Sequence, residues 1–166
     1  MSTTNPLSLA FVSRVRNPNV MRASLWLHAY ASGPTIVIAA ILLFLLAKMS
    51  PEAYATIGSG KGQQNLDWFP ALVFNPIVES LMLVGMIRLC AKKSYMLALI
   101  VPAVLLSALH SLQSPLWGVT VVTFFLIQSY AFLEMDKSGF AKALAVLVIS
   151  HSLHNGWSLG VRYFIA

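Results

Sequence analysis

Charge is scarce in this 166-residue chain: 10% of its residues are Asp, Glu, Lys or Arg, against about 25% in a soluble globular domain. With 58% hydrophobic residues and a mean hydropathy of +0.76, that scarcity excludes an ordinary soluble domain and indicates an integral membrane protein. Acidic residues are rarer still, five against eleven Lys and Arg, which gives a net charge of +6 and a pI near 9.8. In a soluble protein such a balance would suggest nucleic acid. Here the basic residues flank apolar runs, as membrane topology requires, and no nucleic-acid partner is expected. Cysteine is almost absent. The single Cys90 excludes an internal disulfide and any multi-cysteine metal site, and it reads as a spectator thiol beside Arg88, Lys92 and Lys93.

What the chain does contain is a series of long apolar runs. Residues 1–23 form a basic lead-in carrying Arg14, Arg16 and Arg22, expected on the cytoplasmic side and partly interfacial. The apolar run that follows starts too late, and runs on too long, for a cleaved signal peptide. Residues 24–166 are expected to be one transmembrane domain, an all-α polytopic helix bundle with about five spans near 24–46, 69–88, 94–112, 116–133 and 140–164. Each is close to the roughly 20 residues that cross a bilayer. Residues 49–68 read as a polar loop closed by the interface anchors Trp68 and Phe69. The basic residues of the lead-in and of the 88–93 turn place the N-terminus inside, in a membrane expected to be the bacterial inner (cytoplasmic) membrane.

One acid breaks the apolar pattern. Glu79 lies in the second span, in Asn75-Pro76-Ile77-Val78-Glu79-Ser80-Leu81-Met82-Leu83-Val84-Gly85. A carboxyl in hydrocarbon costs several kcal/mol unless something solvates it, so it marks a candidate functional site. Pro76 is expected either to kink this helix or to start a new one with Asn75 as its N-cap, which would put Glu79 in a first turn. His110 in the third span, and His151, His154 and Asn155 in the fifth, lie at comparable depths. The last three share a helical face through their i, i+3, i+4 spacing. The fourth span holds no ionisable residue and reads as scaffold, and the first is expected to pack outside the site. His28, within that first span, reads as a packing or interface histidine, and Ser80, Ser107 and Ser152 as hydroxyls bonded within their own helices.

A carboxylate beside a histidine can deprotonate water as a general base. A second histidine and a carboxamide can donate to the oxyanion of a tetrahedral intermediate. That suffices for amide hydrolysis without a covalent nucleophile. The same Glu/His/His set is also a donor set for Zn²⁺ with one open position. A metal-free mechanism, without cofactor, is preferred because the Asn155 carboxamide suits an oxyanion better than zinc. Two histidines on different helices could instead be axial haem ligands.

The order of these motifs resembles the CAAX-protease and bacteriocin-processing family of glutamate-dependent intramembrane endopeptidases. That family shows Glu-Glu-x-x-x-Arg followed by glycine, then Phe-x-x-x-His, then His-x-x-x-Asn. Glu79 and Gly85 match the first motif, with Ser80 and Val84 in place of the second glutamate and the arginine. His110 matches the second, with Leu106 for phenylalanine, and His151 to Asn155 match the third. The resemblance covers residues 69–160. It implies that Glu79 and His110 activate water and that His151 and Asn155 form the oxyanion site. His154 lies outside the family pattern; by position, Ser80, His154 and Asn75 are expected to support the site or the substrate. It also implies a peptide or small membrane-protein precursor as the partner within the lipid bilayer. A catalytically inactive relative with a binding or immunity role is the alternative that Ser80 and Val84 raise.

Overall fold

The computed structural model describes the backbone of residues 6–52, 54 and 68–165, and side chains from residue 9 to residue 160 within those ranges. The described residues form an all-α bundle: α1 (Pro6–Val15), α2 (Val20–Met49), a wide π-helical turn (Pro70–Phe74) leading into α3 (Asn75–Ala91), α4 (Tyr95–Ser111), α5 (Pro115–Met135) and α6 (Phe140–Ile165). A short 3₁₀ turn, Asp136–Ser138, joins α5 to α6. Most of the expected loop 49–68 lies outside the described residues. Its closing anchors Trp68 and Phe69 are both exposed.

Local sequence explains the helix limits. The Asn19 side chain accepts the Arg22 N–H at 2.9 Å and caps α2. Ser94 caps α4 through the Met96 N–H, and Pro115 opens α5, where its missing N–H costs nothing. Gly139 closes the 3₁₀ turn at φ 131°, a backbone conformation open to glycine and strained for other residues.

By length and composition three segments can cross a membrane: Val20–Met49, Pro70–Ala91 and Pro115–Ser138. α4 is also apolar but has 17 residues, about 25 Å of helix. Outward-facing Ile36, Val37, Ile41, Phe44 and Leu45 clothe α2 in hydrocarbon-compatible surface. The core is small and aromatic, with Phe124, Phe125 and Phe132 of α5 fully enclosed.

Two expectations change. α2, expected to pack outside the site, lies against both α5 and α6, burying Ala23, Ser24, Leu27, Ala31 and Ser32, and its Ser32 meets His154 of α6. Small residues along one stripe let the backbones approach, which is how helices associate where apolar surface alone gives no driving force. The second change concerns Asn75, which is not an N-cap. Its φ of −62° and ψ of −47° are helical, and so are those of Phe74. The chain therefore passes through Pro76 as one helix, and Glu79 is not in a first turn. A proline ring clashes with the carbonyl four residues back and offers no N–H. The π turn before it relieves the clash by widening the helix, but it does not replace the missing N–H.

One end of the bundle is tied by charge. Arg16 pairs with Glu134 at 2.7 Å, Arg88 pairs with Asp136 at 3.0 Å, and Lys142 Nζ donates to the Arg16 carbonyl. These contacts bring the lead-in, the 88–93 turn and the 134–139 turn to the same end. α1 is docked there rather than merely interfacial. Phe11 meets Tyr30 and Tyr130 with ring centroids 5.1 and 5.4 Å apart, and Val15 is fully buried.

Candidate functional site

Glu79 points from α3 toward α4 and α6. Its Oε2 lies 3.4 Å from His110 Nε2 and 3.4 Å from His151 Nε2. Neither contact has the alignment of a hydrogen bond, and Oε2 is buried without a hydrogen-bond partner among the described residues. The oxygen thus keeps its hydrogen-bonding capacity while facing two imidazole nitrogens. The side chains of Glu79, His110 and His151 are 21%, 12% and 6% exposed, so the Glu79 side chain is the most accessible of the three although its Oε2 is buried.

The tautomer of His110 follows from its backbone contact. Nδ1 lies 2.8 Å from the Leu106 carbonyl, an acceptor only, so Nδ1 carries the proton and donates. In the neutral ring Nε2 then presents its lone pair to Glu79. The pair can be neutral overall in two ways: carboxylic acid beside imidazole, or carboxylate beside imidazolium. One shared proton avoids an unpaired charge in an apolar interior.

Helix α5, expected only as scaffold, holds both rings. His110 meets Trp117 and Phe125 with centroids 5.1 and 5.4 Å apart. His151 meets Phe124 and Phe125 at 5.1 and 5.8 Å. Mostly edge-on aromatic contacts of this kind restrict imidazole rotation. α5 comes close to α4 because Gly118 faces Ser111: a Cβ at Gly118 would overlap Ser111 Oγ and the Ser107 carbonyl.

The three polar residues of α6 do not converge. Residues advance about 100° per step around a helix, so i+3 and i+4 lie about 60° and 40° to opposite sides of i. His151 accordingly meets Glu79, whereas His154 turns toward α2 and Asn155 toward the π turn. His154 Nδ1 contacts Ser32 Oγ at 2.8 Å, and Ser32 Oγ contacts His28 Nδ1 at 3.0 Å. Phe124 stacks on the His154 ring with centroids 4.3 Å apart. His28, expected as a packing or interface histidine, is therefore one end of a buried polar link. Asn155 Nδ2 donates to the Ala71 carbonyl at 2.9 Å.

The remaining candidates play quieter parts. Ser80 is buried at 2% exposure, facing the core. Asn75 is exposed. Ser152 donates to the Val148 carbonyl within its own helix, as expected, whereas Ser107 Oγ is buried with no partner among the described residues.

Among the described residues no group of three acid, thiol or imidazole side chains is arranged to hold a metal ion. Axial haem ligation needs two imidazole nitrogens aimed at one iron from opposite faces of a porphyrin. Here both Nε2 atoms are turned onto one carboxylate oxygen.

Ser32, Phe124, Phe125 and the Ala71 carbonyl belong to this polar seam without any sequence signal of their own; the seam became visible only when α2, α5 and the π turn were packed against it. No family model, curated protein or solved structure matches the chain.

Proposed function

We propose that the chain is an intramembrane endopeptidase that hydrolyses a peptide bond of a membrane-associated or exported precursor. The observation that carries this reading is Glu79 Oε2 held at 3.4 Å from two imidazole nitrogens on different helices. In the proposed reaction a water molecule gives its proton to the Glu79–His110 pair. Its oxygen bonds to the peptide carbonyl carbon, and the carbonyl π electrons move to oxygen. An N–H from His151 stabilises that oxyanion, while Asn155, expected beside it, is turned to the Ala71 carbonyl instead. Collapse of the intermediate breaks the C–N bond as the stored proton passes to the leaving amine, so no metal or cofactor enters the reaction.

A groove lies on the outer surface near the site. An open apolar groove of about 370 Å³ runs along the α3–α4 seam, lined by Met82, Met86, Leu105, Ala108, Leu109 and Leu112. Its lining begins at Met82, three residues after Glu79, and does not include Glu79, His110 or His151. Arg14, Arg16, Arg22, Arg88, Lys92 and Lys93 belong to segments at one end of the bundle, which supports an N-terminus inside in a cytoplasmic membrane.

A second reading is a non-catalytic membrane-binding or immunity protein of the same build. It is favoured by the burial of Ser80 and Val84, which makes both of them packing residues rather than groups facing a substrate. The two readings separate on Glu79. Glu79→Gln abolishes processing of the precursor if the carboxylate is the base. It leaves a binding function largely intact, since glutamine keeps the shape of the side chain.

A further inference from the structure

From the path of the backbone around Pro76 we infer that Asn155 is a positioning residue, the clamp that fixes the wide turn from which Glu79 is presented. This rests on the reading of Glu79 as the general base, but the clamp itself is a matter of hydrogen-bond accounting.

The Asn75 N–H donates to the Pro70 carbonyl, five residues back. In an ordinary α-helix that N–H would serve the Ala71 carbonyl instead. With the turn widened, the next donor for Ala71 would be the N–H of residue 76, and proline has none. Pro76 therefore strands the Ala71 carbonyl in an apolar setting. A backbone acceptor stranded in hydrocarbon must find a partner. The Asn155 side chain supplies it, Nδ2 to oxygen at 2.9 Å, from a different helix. A turn widened by one residue also rotates everything after it about 100° relative to everything before. Glu79 comes three residues after Pro76, so holding the turn open sets the direction in which its carboxyl leaves the helix, toward His110 and His151.

Asn155 becomes dispensable once residue 76 can donate. Asn155→Ala, Pro76→Ala and the double variant form a cycle read in purified protein by two measurements. One is the thermal unfolding midpoint. The other is the pH profile of Glu79 modification by a hydrophobic carbodiimide, followed by mass spectrometry, which reports whether the carboxyl still shares its proton with His110 and His151. Asn155→Ala is expected to lower the midpoint by about 5 °C and to shift the labelling profile. In the Pro76→Ala background the same change is expected to do neither, because the alanine introduced there has an N–H that satisfies the Ala71 carbonyl. If Asn155→Ala does not accumulate as folded protein, recovery in the double variant reads the same coupling. Equal losses in both backgrounds would overturn the clamp. A labelling profile that stays fixed while the midpoint falls would overturn the link to Glu79. Neither measurement needs a substrate, so the clamp can fail while the peptidase reading stands, or stand while that reading fails.

Discussion

Replacing Glu79 by glutamine removes one chemical capacity and little else. The carboxamide matches the carboxyl in size. Its amide N–H can donate to the Nε2 lone pair that His110 presents, since His110 Nδ1 is committed to the Leu106 carbonyl. The exchange therefore leaves no unpaired charge behind, and the folded protein should change in stability by no more than about 1 kcal/mol. The chemistry changes far more. A positioned general base contributes about 10²–10⁴-fold, or about 3–5 kcal/mol of barrier, and glutamine cannot accept the proton of water. Glu79→Asp is the graded companion: shortening the side chain by one carbon withdraws the oxygen by about 1.5 Å from nitrogens now 3.4 Å away, which predicts an intermediate loss. The assay compares membrane and secreted precursors in cells carrying each variant at matched protein levels, using peptide mass spectrometry to find termini that vanish with Glu79→Gln. Termini that persist unchanged in Glu79→Gln cells, at normal levels of folded protein, would refute the general-base reasoning.

Chelator treatment of active protein should leave cleavage unchanged, because the proposed steps use only the Glu79–His110 pair and an imidazole donor; loss of activity with recovery on adding Zn²⁺ would replace the metal-free reaction with a zinc one. Gly118→Ala should destabilise the α4–α5 contact by about 1–3 kcal/mol, since the new methyl overlaps Ser111 Oγ and the Ser107 carbonyl; adding Ser111→Ala should restore part of the thermal midpoint. Ser32→Ala should cost about 1–3 kcal/mol by leaving His28 and His154 without the hydroxyl between them, while activity per folded molecule holds because neither ring touches Glu79. Arg16→Ala should cost under about 1 kcal/mol in stability, with an effect that shrinks as salt rises, because Arg16 in the Arg16–Glu134 pair is 38% exposed.

Sequence alone determined that this chain is an all-α membrane protein, and nearly where its helices begin and end. The physical cause is local: apolar runs of spanning length, capping residues such as Asn19 and Ser94, and prolines and glycines at the turns act over a few residues. It also singled out Glu79, because a carboxyl in an apolar run is anomalous whatever the fold. It offered His110, His151 and Asn155 as candidate partners, since polar residues at matching depth are few, and the first two meet the carboxyl. Tertiary structure decided which polar residues meet. His151, His154 and Asn155 share a face by spacing, yet packing sends them to three different neighbours: the Glu79 carboxyl, Ser32 of α2 and the Ala71 carbonyl. No periodicity reveals that α2 lies against α6, or that α5 lays its phenylalanines along two imidazoles, because these depend on contacts between helices far apart in sequence. Pro76 shows the division most clearly. Its presence in the sequence signals a disturbed helix, but whether the chain kinks, restarts or widens depends on whether another helix can supply a donor for the carbonyl it strands, and here Asn155 does.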